Sequence, residues 1–395
     1  MINRIRKILM FFAAICLLPI TIIIILIRPF ILIRFGNLEY KRIGHLSLDT
    51  AIYITKKKKS EHTIDFIGYS KKKVSNIELL NLWKKKLKIY NLSFFFEIFI
   101  FSLNFFIKNK EHEIKLYSLE KYTYLIQNKN FINIELRKEA SKFFNHFKIP
   151  ILAKWVCIHN RDNAYMSKNF KFISNNQISI QNHRNFDIRD FNSACKKLIS
   201  LGYYVIRVGS LQEKHINLSS DKIIDYSNST FRSDYMDLFL LSKCRFYLGS
   251  DSGIGNISVI SDKYKGLCNA TDFYNLQIQN FKRVIIFKKY YSNKLQKFLS
   301  LKEIFDNNIH KFSNILQFEA ENITVINNNE KEIEGLAEDL DKILNNNYTL
   351  NKEDEKNHIK FWNIVKKYGL NPKNNYNEIR VSNYFLKNNL YLINL

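Results

Sequence analysis

Short apolar runs alternate with helical repeats through the second half of the chain. The apolar runs predict strands at residues 155–158, 203–208, 223–226, 246–248, 264–268 and 283–287. Apolar positions at helical spacing predict helices over residues 191–201, 232–243 and 330–344. Because strands and helices alternate at this length, we predict an α/β domain with a parallel, doubly wound sheet for residues 151–345.

The first half carries a weaker form of the same alternation. Residues 62–67 are typical of a strand, residues 77–87 of an amphipathic helix and residues 92–107 of a very apolar helix. Pro150 marks a break, so we predict a first α/β domain over residues 36–150. Residues 346–395 are polar and are predicted to form a helical tail.

The N-terminal segment is the most apolar part of the chain. No charged residue occurs between Ile8 and Ile27, and as a helix this stretch would be ~30 Å long, the thickness of a bilayer's hydrocarbon core. We therefore predict an N-terminal membrane helix within residues 1–35. The alternative, a buried core helix, would tolerate Pro19 poorly. Basic residues after the segment favour a cytoplasmic catalytic domain on a bacterial inner membrane, single-pass or monotopic, with the anchor orientation left open.

The charge distribution and the cysteine spacing argue against a nucleic-acid-binding protein and against a zinc-stabilised fold. The net charge is +25, but Lys, Asn and Ile are frequent throughout, so we interpret the lysine runs as solvated surface and expect no nucleic-acid partner. Attraction to anionic lipid or to a polyphosphate substrate stays open. The five cysteines show no CxxC or Cys/His spacing, which indicates reduced thiols and argues against structural zinc.

A loop of small residues follows the apolar run at 246–248. It contains Ser250, Ser252 and Gly253, and helical spacing resumes at Ile254. A strand, a small-residue turn and a helix start form a phosphate site in many open α/β sheets, because backbone N–H groups point at the ligand. The alternative is an ordinary turn with a serine cap.

Other polar residues fall at the same predicted sheet edge. His159 and Arg161 follow one strand, and Arg207 and Gly209 end another. Two arginines converging on a small-residue turn would suit a diphosphate, because the guanidinium fork matches phosphate oxygens. The alternative is that each arginine pairs with an aspartate, Asp162 or Asp225.

Ordered motifs give the chain a family resemblance. They are WVCIHNRD at residues 155–162, HRNFDI at 183–188, GYYVIRVG at 202–209 and DLFLLSKCRFYLGSDSG at 237–253, with RIGHL at 42–46 in the first half. The set resembles a family of bacterial glycosyltransferases associated with surface-polysaccharide biosynthesis. The second half is similar to enzymes of the GT-B type, including fucosyltransferases, and the resemblance covers most of residues 36–345.

This resemblance implies a GT-B-like fold of two Rossmann-like, doubly wound domains facing a cleft. The second domain would bind a nucleotide-sugar donor and the first a surface-glycan or lipid-linked acceptor. The residues implied or predicted for the donor diphosphate are His159, Arg161, Arg207, Gly209, Ser250, Ser252 and Gly253, with Gly44, Asp162, Arg184, Asn185, Asp251 and Gly255 as further cleft candidates. Asn160 and Asp162 depart from the fucosyltransferase pattern, so the donor base is not carried over.

The chemistry expected at such a site needs a base and no cofactor. The sole Asp-x-Asp spacing, at residues 339–341, lies in a helical pattern, so we predict metal independence. An inverting mechanism needs a general base at the acceptor hydroxyl, and His45 is the candidate. The alternative interpretation of His45 is a hydrogen-bonded histidine at the start of a helix. A retaining mechanism would need no general base of this kind.

The sequence thus predicts a membrane-anchored glycosyltransferase. One alternative is a nucleotide-sugar-modifying enzyme of related fold, such as an epimerase, for which Asp162 and Asp251 would be the relevant carboxylates. Another is a non-catalytic glycan-assembly or basic binding protein. Binding to a phosphate backbone alone would weaken steeply with salt, which distinguishes the last class.

Overall fold

The chain divides into two compact units, residues 1–126 (unit 1) and residues 127–395 (unit 2). The computed structural model describes residues 2–57, 62–108, 110–164, 167, 179–210, 214–273, 276, 282–370 and 379–394. The α/β class and the parallel sheets predicted from the sequence are confirmed. A cleft between two domains stays a prediction.

Unit 1 is built on a parallel sheet of four strands in the order β3-β2-β1-β4. The strands are β1 (Leu32–Asn37), β2 (Thr63–Gly68), β3 (Ile89–Tyr90) and β4 (Glu113–Ile114). The helices are α1 (Ile2–Cys16), α2 (Leu18–Leu26), α3 (Ile43–Lys56), α4 (Ile77–Lys84) and α5 (Ser93–Ser102), which a π-helical turn (Leu103–Ile107) extends. Phe35 of β1 stacks on Phe99 of α5 at 4.9 Å between ring centroids, so α5 covers the sheet. The very apolar run predicted near residues 92–107 is thus largely a packed helix.

The predicted N-terminal membrane helix is not continuous. α1 and α2 meet at Leu17, and their apolar parts, Ile8–Cys16 and Leu18–Leu26, are bent by 56°. Pro19 explains the break, because it has no N–H to donate to Ile15 and its ring would clash with that carbonyl group. Among the residues described, no single helix combines the length and apolar character needed to cross a bilayer, and only this bent pair meets the test.

Unit 2 contains a parallel sheet of seven strands in the order β14-β10-β9-β8-β5-β6-β7. Its strands are β5 (Trp155–His159), β6 (Tyr204–Arg207), β7 (Ile223–Ile224), β8 (Phe246–Gly249), β9 (Tyr264–Ala270), β10 (Arg283–Phe287) and β14 (Ile379–Val381). A small antiparallel sheet holds β11 (Lys289–Ser292), β12 (Lys297–Phe298) and β13 (Ile323–Ile326). The chain adds strands first on one side of β5 and then on the other, so the order reverses between β5 and β8. Ligands of doubly wound sheets bind beyond the carboxyl ends of the strands at such a reversal.

The helices of unit 2 surround these sheets. They are α6 (Lys138–His146), α7 (Asn192–Ser200), α8 (Asp234–Lys243), α9 (Asn256–Ile260), α10 (Leu301–Asp306), α11 (Ile315–Ala320), α12 (Glu330–Leu344), α13 (Lys352–Lys367) and α14 (Asn383–Asn388). α6 belongs to unit 2 because its Phe144 packs on Trp155 and Phe239. The units therefore divide after Ile126, whereas the sequence predicted a boundary at Pro150.

Residues 346–395 are part of unit 2 and not a separate tail. β14 pairs with β10 in parallel, and Phe361, Val381 and Phe385 are fully buried. The Ser382 hydroxyl donates to Asp339 Oδ2 over 2.7 Å, which ties the segment to α12. The polar composition concealed this packing because the buried apolar residues are dispersed among many polar ones.

We expect Gly335→Ala in α12 to destabilise unit 2 by about 1–3 kcal/mol, the usual cost of overpacking. An added Cβ would lie 2.4 Å from the Tyr384 ring and 2.5 Å from its Cβ, so α14 must shift. Urea unfolding followed by circular dichroism measures the change. Lys342→Ala, on an exposed part of the same helix, is the control and should change stability by less than about 0.5 kcal/mol. An unchanged unfolding midpoint for Gly335→Ala would contradict the packing of α14 on α12.

Candidate functional site

The candidate site lies at the carboxyl edge of the large sheet in unit 2, where β5, β8 and β9 end. The Ser250 N–H donates to the His159 carbonyl oxygen over 3.1 Å, which joins the ends of β8 and β5. A Cβ on Gly249 would lie 2.4 Å from the same oxygen, so this close approach requires glycine. The first residues of the predicted phosphate loop are therefore held against β5.

A cavity of about 460 Å³ opens beside this loop. Its lining is polar, with two cationic and two acidic side chains, and consists of Gln181, His183, Arg184, Ser250, Asp251, Asn269, Thr271, Asp272, His310, Lys311, Phe312 and Ser313. Of the residues singled out from the sequence, Arg184, Ser250 and Asp251 line it. The volume is in the range of small-molecule sites in proteins.

Arg184 is presented by a tight turn, Asn182–Arg184, which the partly buried Arg161 and the buried Lys288 hold in place. Arg161 Nη1 donates to Gln181 O at 3.1 Å and to Asn185 Oδ1 at 2.5 Å. Lys288 Nζ donates to Asn185 O at 2.7 Å. Arg184 in turn donates to the Asp251 carbonyl oxygen at 2.9 Å, so the turn and the phosphate loop are joined. Arg161 thus positions the arginine that lines the cavity, and its own contact with a diphosphate stays a prediction.

Arg161 nevertheless adds charge to this region. Burial lowers its pKa to about 10, and the nearby Arg184 guanidinium adds to the shift. The side chain therefore stays protonated at neutral pH. Burial likewise lowers the pKa of Lys288 to about 7.

Arg207 is engaged inside unit 2 and has no exposed surface. Its Nη2 donates to Asn160 Oδ1 at 3.0 Å, and its Nη1 donates to Asp225 at 3.3 Å and to the Lys214 carbonyl oxygen. The sequence analysis gave pairing of Arg207 with Asp225 as the alternative to a diphosphate contact. This ion pair is present, and the Arg207 side chain in it is buried. The direct diphosphate contact of Arg207 stays a prediction, and in the structure its guanidinium donates to these internal acceptors.

Two buried histidines flank the edge. His159 ends β5, and its Nδ1 hydrogen bonds to the Val208 carbonyl oxygen at 3.0 Å. His183 lines the cavity and packs on the Phe318 ring at 5.7 Å. Burial lowers the pKa of each to about 4, so both are neutral at pH 7. His159 therefore has a hydrogen-bonded structural position, and His183 is the histidine at the cavity.

The helix expected after the phosphate loop is shorter than predicted. A 3₁₀ turn, Gly253–Gly255, precedes α9, which has only five residues. It ends where Asp262 takes a left-handed backbone with φ 58°, and the Lys263 N–H bonds back to the Ser258 carbonyl oxygen. So short a helix has little dipole, and the argument for phosphate binding at its N-terminus is correspondingly weak.

The remaining loop residues have local roles. The Ser252 hydroxyl lies 3.3 Å from the Tyr247 hydroxyl, and a Cβ on Gly255 would contact that tyrosine ring at 2.9 Å. Ser252 and Gly253 are partly exposed beside the cavity but do not line it. The Asp251 carboxylate lies 3.4 Å from the buried Lys265 ammonium group.

Two predicted residues near the other strand ends also shape the backbone. The Asp162 carboxylate accepts from the Ala164 N–H at 3.1 Å. Gly209 has a φ of 127°, which favours glycine, and its carbonyl oxygen accepts from Arg232. Neither residue lines the cavity.

Asn269 is a cavity residue that sequence reasoning missed. It is 3% exposed, and its φ is 53°. Asn269 and Asn328 exchange hydrogen bonds, each side-chain oxygen accepting from the other's backbone N–H at 2.7 and 2.6 Å. Asn269 Nδ2 and Ser250 Oγ make no hydrogen bond within the described residues. Two buried polar groups at one cavity indicate a polar ligand, because leaving such groups unsatisfied is costly.

The other missed residues come from two places. Thr271 and Asp272 follow β9, so extending the strand-end rule to the predicted strand at 264–268 would have found them. The segment with His310, Lys311 and Ser313 lies between α10 and α11, and no local pattern marks it as part of the site.

We expect Ser250→Ala to weaken binding of a diphosphate ligand about 2- to 10-fold without loss of fold stability. The hydroxyl donates to no group in the described residues, so its removal breaks no internal contact. Calorimetric titration and thermal unfolding measure the two effects. Ser258→Ala is the control. Its buried hydroxyl donates to the Gly255 carbonyl oxygen, so this substitution should lower thermal stability more than ligand affinity. Unchanged affinity for Ser250→Ala would remove this hydroxyl from the site.

Unit 1 contains a separate chemical feature, a histidine–carboxylate pair on α3. His45 Nδ1 lies 2.9 Å from Asp49 Oδ2, with side chains 31% and 1% exposed. The other oxygen of Asp49 accepts from the Leu119 N–H at 3.1 Å, which fixes the carboxylate. A carboxylate at Nδ1 favours the tautomer whose Nε2 accepts a proton. Gly44 lies beside His45 in the first turn of α3, where its carbonyl oxygen accepts from Ser47.

Within the described ranges, no group of three or more His, Cys, Asp or Glu side chains is arranged to hold a metal ion. Asp339 and Asp341 lie on α12, as the helical pattern predicted. Asp339 accepts from Ser382, and Asp341 accepts from the Tyr203 hydroxyl. Metal independence stays a prediction.

Comparison with known proteins gives only weak matches. No protein-family model and no curated protein matches the sequence. Among solved structures, ADP-heptose LPS heptosyltransferase II from E. coli is 12% identical with a TM-score of 0.35, over 60% of this chain and 86% of that one. A family 9 glycosyl transferase from Veillonella parvula is 9% identical with a TM-score of 0.39, over 65% and 86%.

A third solved structure is the dodecameric iron-containing heptosyltransferase TibC in complex with ADP-D-beta-D-heptose. It is 11% identical with a TM-score of 0.39, over 79% of this chain and 78% of that one. At these identities and TM-scores the matches decide neither the fold nor the activity of this chain. The similarity to fucosyltransferases stays a prediction.

Proposed function

We propose that the protein is a glycosyltransferase whose unit 2 binds the diphosphate of a nucleotide sugar in the cavity beside Ser250. The observation that carries the proposal is the cavity itself. It lies at the carboxyl edge of a parallel sheet, near the reversal of strand order, and is lined by Arg184, His183 and Lys311. The cations Arg184 and Lys311 suit a ligand with two negative phosphates, and the acidic lining residues Asp251 and Asp272 would have to face another part of that ligand.

The same residues supply the chemistry that glycosyl transfer needs. When the bond between sugar and diphosphate breaks, negative charge grows on the diphosphate. Arg184 is held in place by Asp251 and by the turn that Arg161 and Lys288 support. A fixed cation stabilises developing charge without having to reorganise during the reaction.

We assign the general base to His45 of unit 1. Asp49 is buried and holds the imidazole at Nδ1, which is the arrangement that orients a histidine to accept a proton at Nε2. The acceptor would be a surface glycan or a lipid-linked glycan. These roles support an inverting reaction.

The test is binding of nucleoside diphosphates, with no assumption about sugar or acceptor. Full-length protein is titrated with ADP, GDP, UDP, CDP and dTDP, and thermal unfolding is followed. A ligand at 100 times its dissociation constant should stabilise by about 2.7 kcal/mol. One of the five nucleoside diphosphates should raise the unfolding temperature most. The nucleotide sugar with the same nucleobase should then be consumed by the protein, also in the presence of EDTA. No shift with any of the five would overturn the proposal.

We expect the affinity for a nucleotide sugar to rise about tenfold as the pH falls from 7 to 5. Burial lowers the pKa of His183 to about 4, and a bound diphosphate would raise that pKa towards its ordinary value. Binding would then take up a proton, so acid favours the complex. A nucleotide sugar is used because its diphosphate does not titrate in this range. In His183→Gln most of this pH dependence should disappear, and the remainder would come from Lys288, whose pKa is about 7. A wild-type profile no steeper than that of His183→Gln would show that His183 does not face the diphosphate.

A further inference from the structure

We propose that unit 1 docks on the surface of an anionic lipid bilayer through an apolar face of α1, α2 and the π-helical turn. This face, the docking face below, is formed by exposed side chains: Leu9, Phe12, Ile20, Ile23, Leu26, Phe30, Phe105 and Phe106. The proposal concerns unit 1 alone and does not depend on the proposed reaction.

One side of the N-terminal helices is packed against the rest of unit 1. Ala14 and Thr21 have no exposed surface, and Ile24 packs in a cluster with Phe96 and Phe99 of α5. The Thr21 and Ser102 hydroxyl groups lie 3.2 Å apart across the helix contact. The N-terminal segment is therefore a built part of unit 1 with a fixed orientation.

The opposite side is exposed and strongly apolar. Phe12 is 61% exposed, Leu26 68% and Phe30 74%. Such residues occur singly on many surfaces, but on α1 the exposed residues Ile8, Leu9, Phe12 and Ile15 recur at helical spacing and so share one face. Contiguous apolar patches of this kind mark interaction sites.

The docking face continues from α1 to the π-helical turn. The ring of Phe11 lies 5.6 Å from that of Phe105 and 6.1 Å from that of Phe106, between centroids. Phe105 and Phe106 also contact each other at 5.1 Å. Phenylalanine side chains are common on the apolar face of helices that lie in the bilayer interface.

Charge identifies the occupant as anionic lipid. Residues 1–126 contain 22 Lys and Arg against nine Asp and Glu. Exposed Lys108 and Lys110 lie two and four residues after Phe106, and the sequence places Arg4, Arg6 and Lys7 at the start of α1. Cations beside an apolar face are attracted to anionic headgroups. A second copy of the chain would bring these cations together, so it is the less favourable occupant.

Vesicle flotation tests the proposal. Full-length protein is mixed with vesicles of phosphatidylcholine alone, or with about 30% phosphatidylglycerol, and the bound fraction is measured. We expect the anionic vesicles to bind at least about tenfold more tightly, with weaker binding at high salt. Equal binding to both vesicle types, or binding to neither, would overturn the proposal.

Substitutions on the docking face locate the contact. The double variant Phe12→Glu and Leu26→Glu should lose vesicle binding at least about tenfold and keep its circular dichroism spectrum, because both side chains are exposed. Leu152→Glu, at a 90% exposed leucine of unit 2, should bind as the wild type does. Equal loss in both variants, or loss in neither, would contradict the assignment. Light scattering tests whether a second copy of the chain occupies the face. A wild-type dimer that the double variant abolishes, together with no vesicle binding by the wild type, would indicate a second copy.

Depth of insertion is measured with Phe12→Trp. Lipids brominated near the headgroup end of the acyl chain should quench its added fluorescence more strongly than lipids brominated near the chain terminus, since interfacial helices lie about 5–10 Å deep. The reverse order would place Phe12 near the bilayer centre and contradict a surface position.

Discussion

Replacing His45 by alanine is expected to slow glycosyl transfer by about 10²- to 10⁴-fold, the usual contribution of a positioned general base. Donor binding should not change, because the cavity residues belong to unit 2 and His45 to unit 1. Steady-state kinetics with the nucleotide sugar identified by the binding panel give kcat, and titration with the nucleoside diphosphate gives the affinity. The expected result is a lower kcat at unchanged diphosphate affinity.

Two variants control this experiment. Asp49→Asn keeps an oxygen for the Leu119 N–H but removes the carboxylate from His45, so kcat should fall. Because the two residues act together, the variant that combines His45→Ala and Asp49→Asn should be no slower than His45→Ala alone. His62→Ala removes an exposed histidine before β2, at the opposite edge of the sheet, and should leave turnover unchanged. Normal turnover in His45→Ala would rule out this base and favour a retaining mechanism.

The second large effect is expected at Arg184. A charge-assisted hydrogen bond to phosphate contributes about 1.5–3 kcal/mol, so Arg184→Ala should weaken nucleoside diphosphate binding by about 10- to 150-fold. Arg184→Lys keeps the charge but not the fork of donors, and should recover part of the loss. Calorimetric titration of the three proteins measures the series.

Arg189→Ala is the matched control for Arg184. Arg189 follows in the same segment, is exposed and pairs with Asp187, and does not line the cavity. Its removal should change affinity by less than about twofold. Equal losses of affinity in the two alanine variants would indicate that Arg184 acts through long-range charge and not through contact with the ligand. If neither variant lost affinity, the diphosphate would not bind in this cavity.

Much of the fold of unit 2 could be predicted from the sequence. The strand predicted at 283–287 and the helix predicted at 330–344 have the bounds found in the structure, because buried parallel strands and an amphipathic helix leave strong local patterns. The N-terminal segment was harder. Its composition indicated one long helix, but a single residue without an N–H, Pro19, divides it.

The sequence indicated the sheet edge at which the candidate cavity lies, but not most of the residues that line it. The rule that ligands bind at strand ends pointed to this edge and its loop, and their role in binding stays a prediction. It could not show that Arg207 would be buried against Asn160 and Asp225, or that Arg161 would support the turn carrying Arg184. Such roles depend on which acceptors lie within reach in three dimensions, and Asn185, which takes up Arg161, is 24 residues away along the chain.

The pairing of β14 with β10 has a consequence for synthesis of the protein. About 90 residues separate the two strands, so the outer edge of β10 stays without its neighbour until residues 379–381 have left the ribosome. An open edge is a template on which other chains can add strands. Nascent chains that have passed β10 but not reached β14 would therefore be the species most in need of a chaperone.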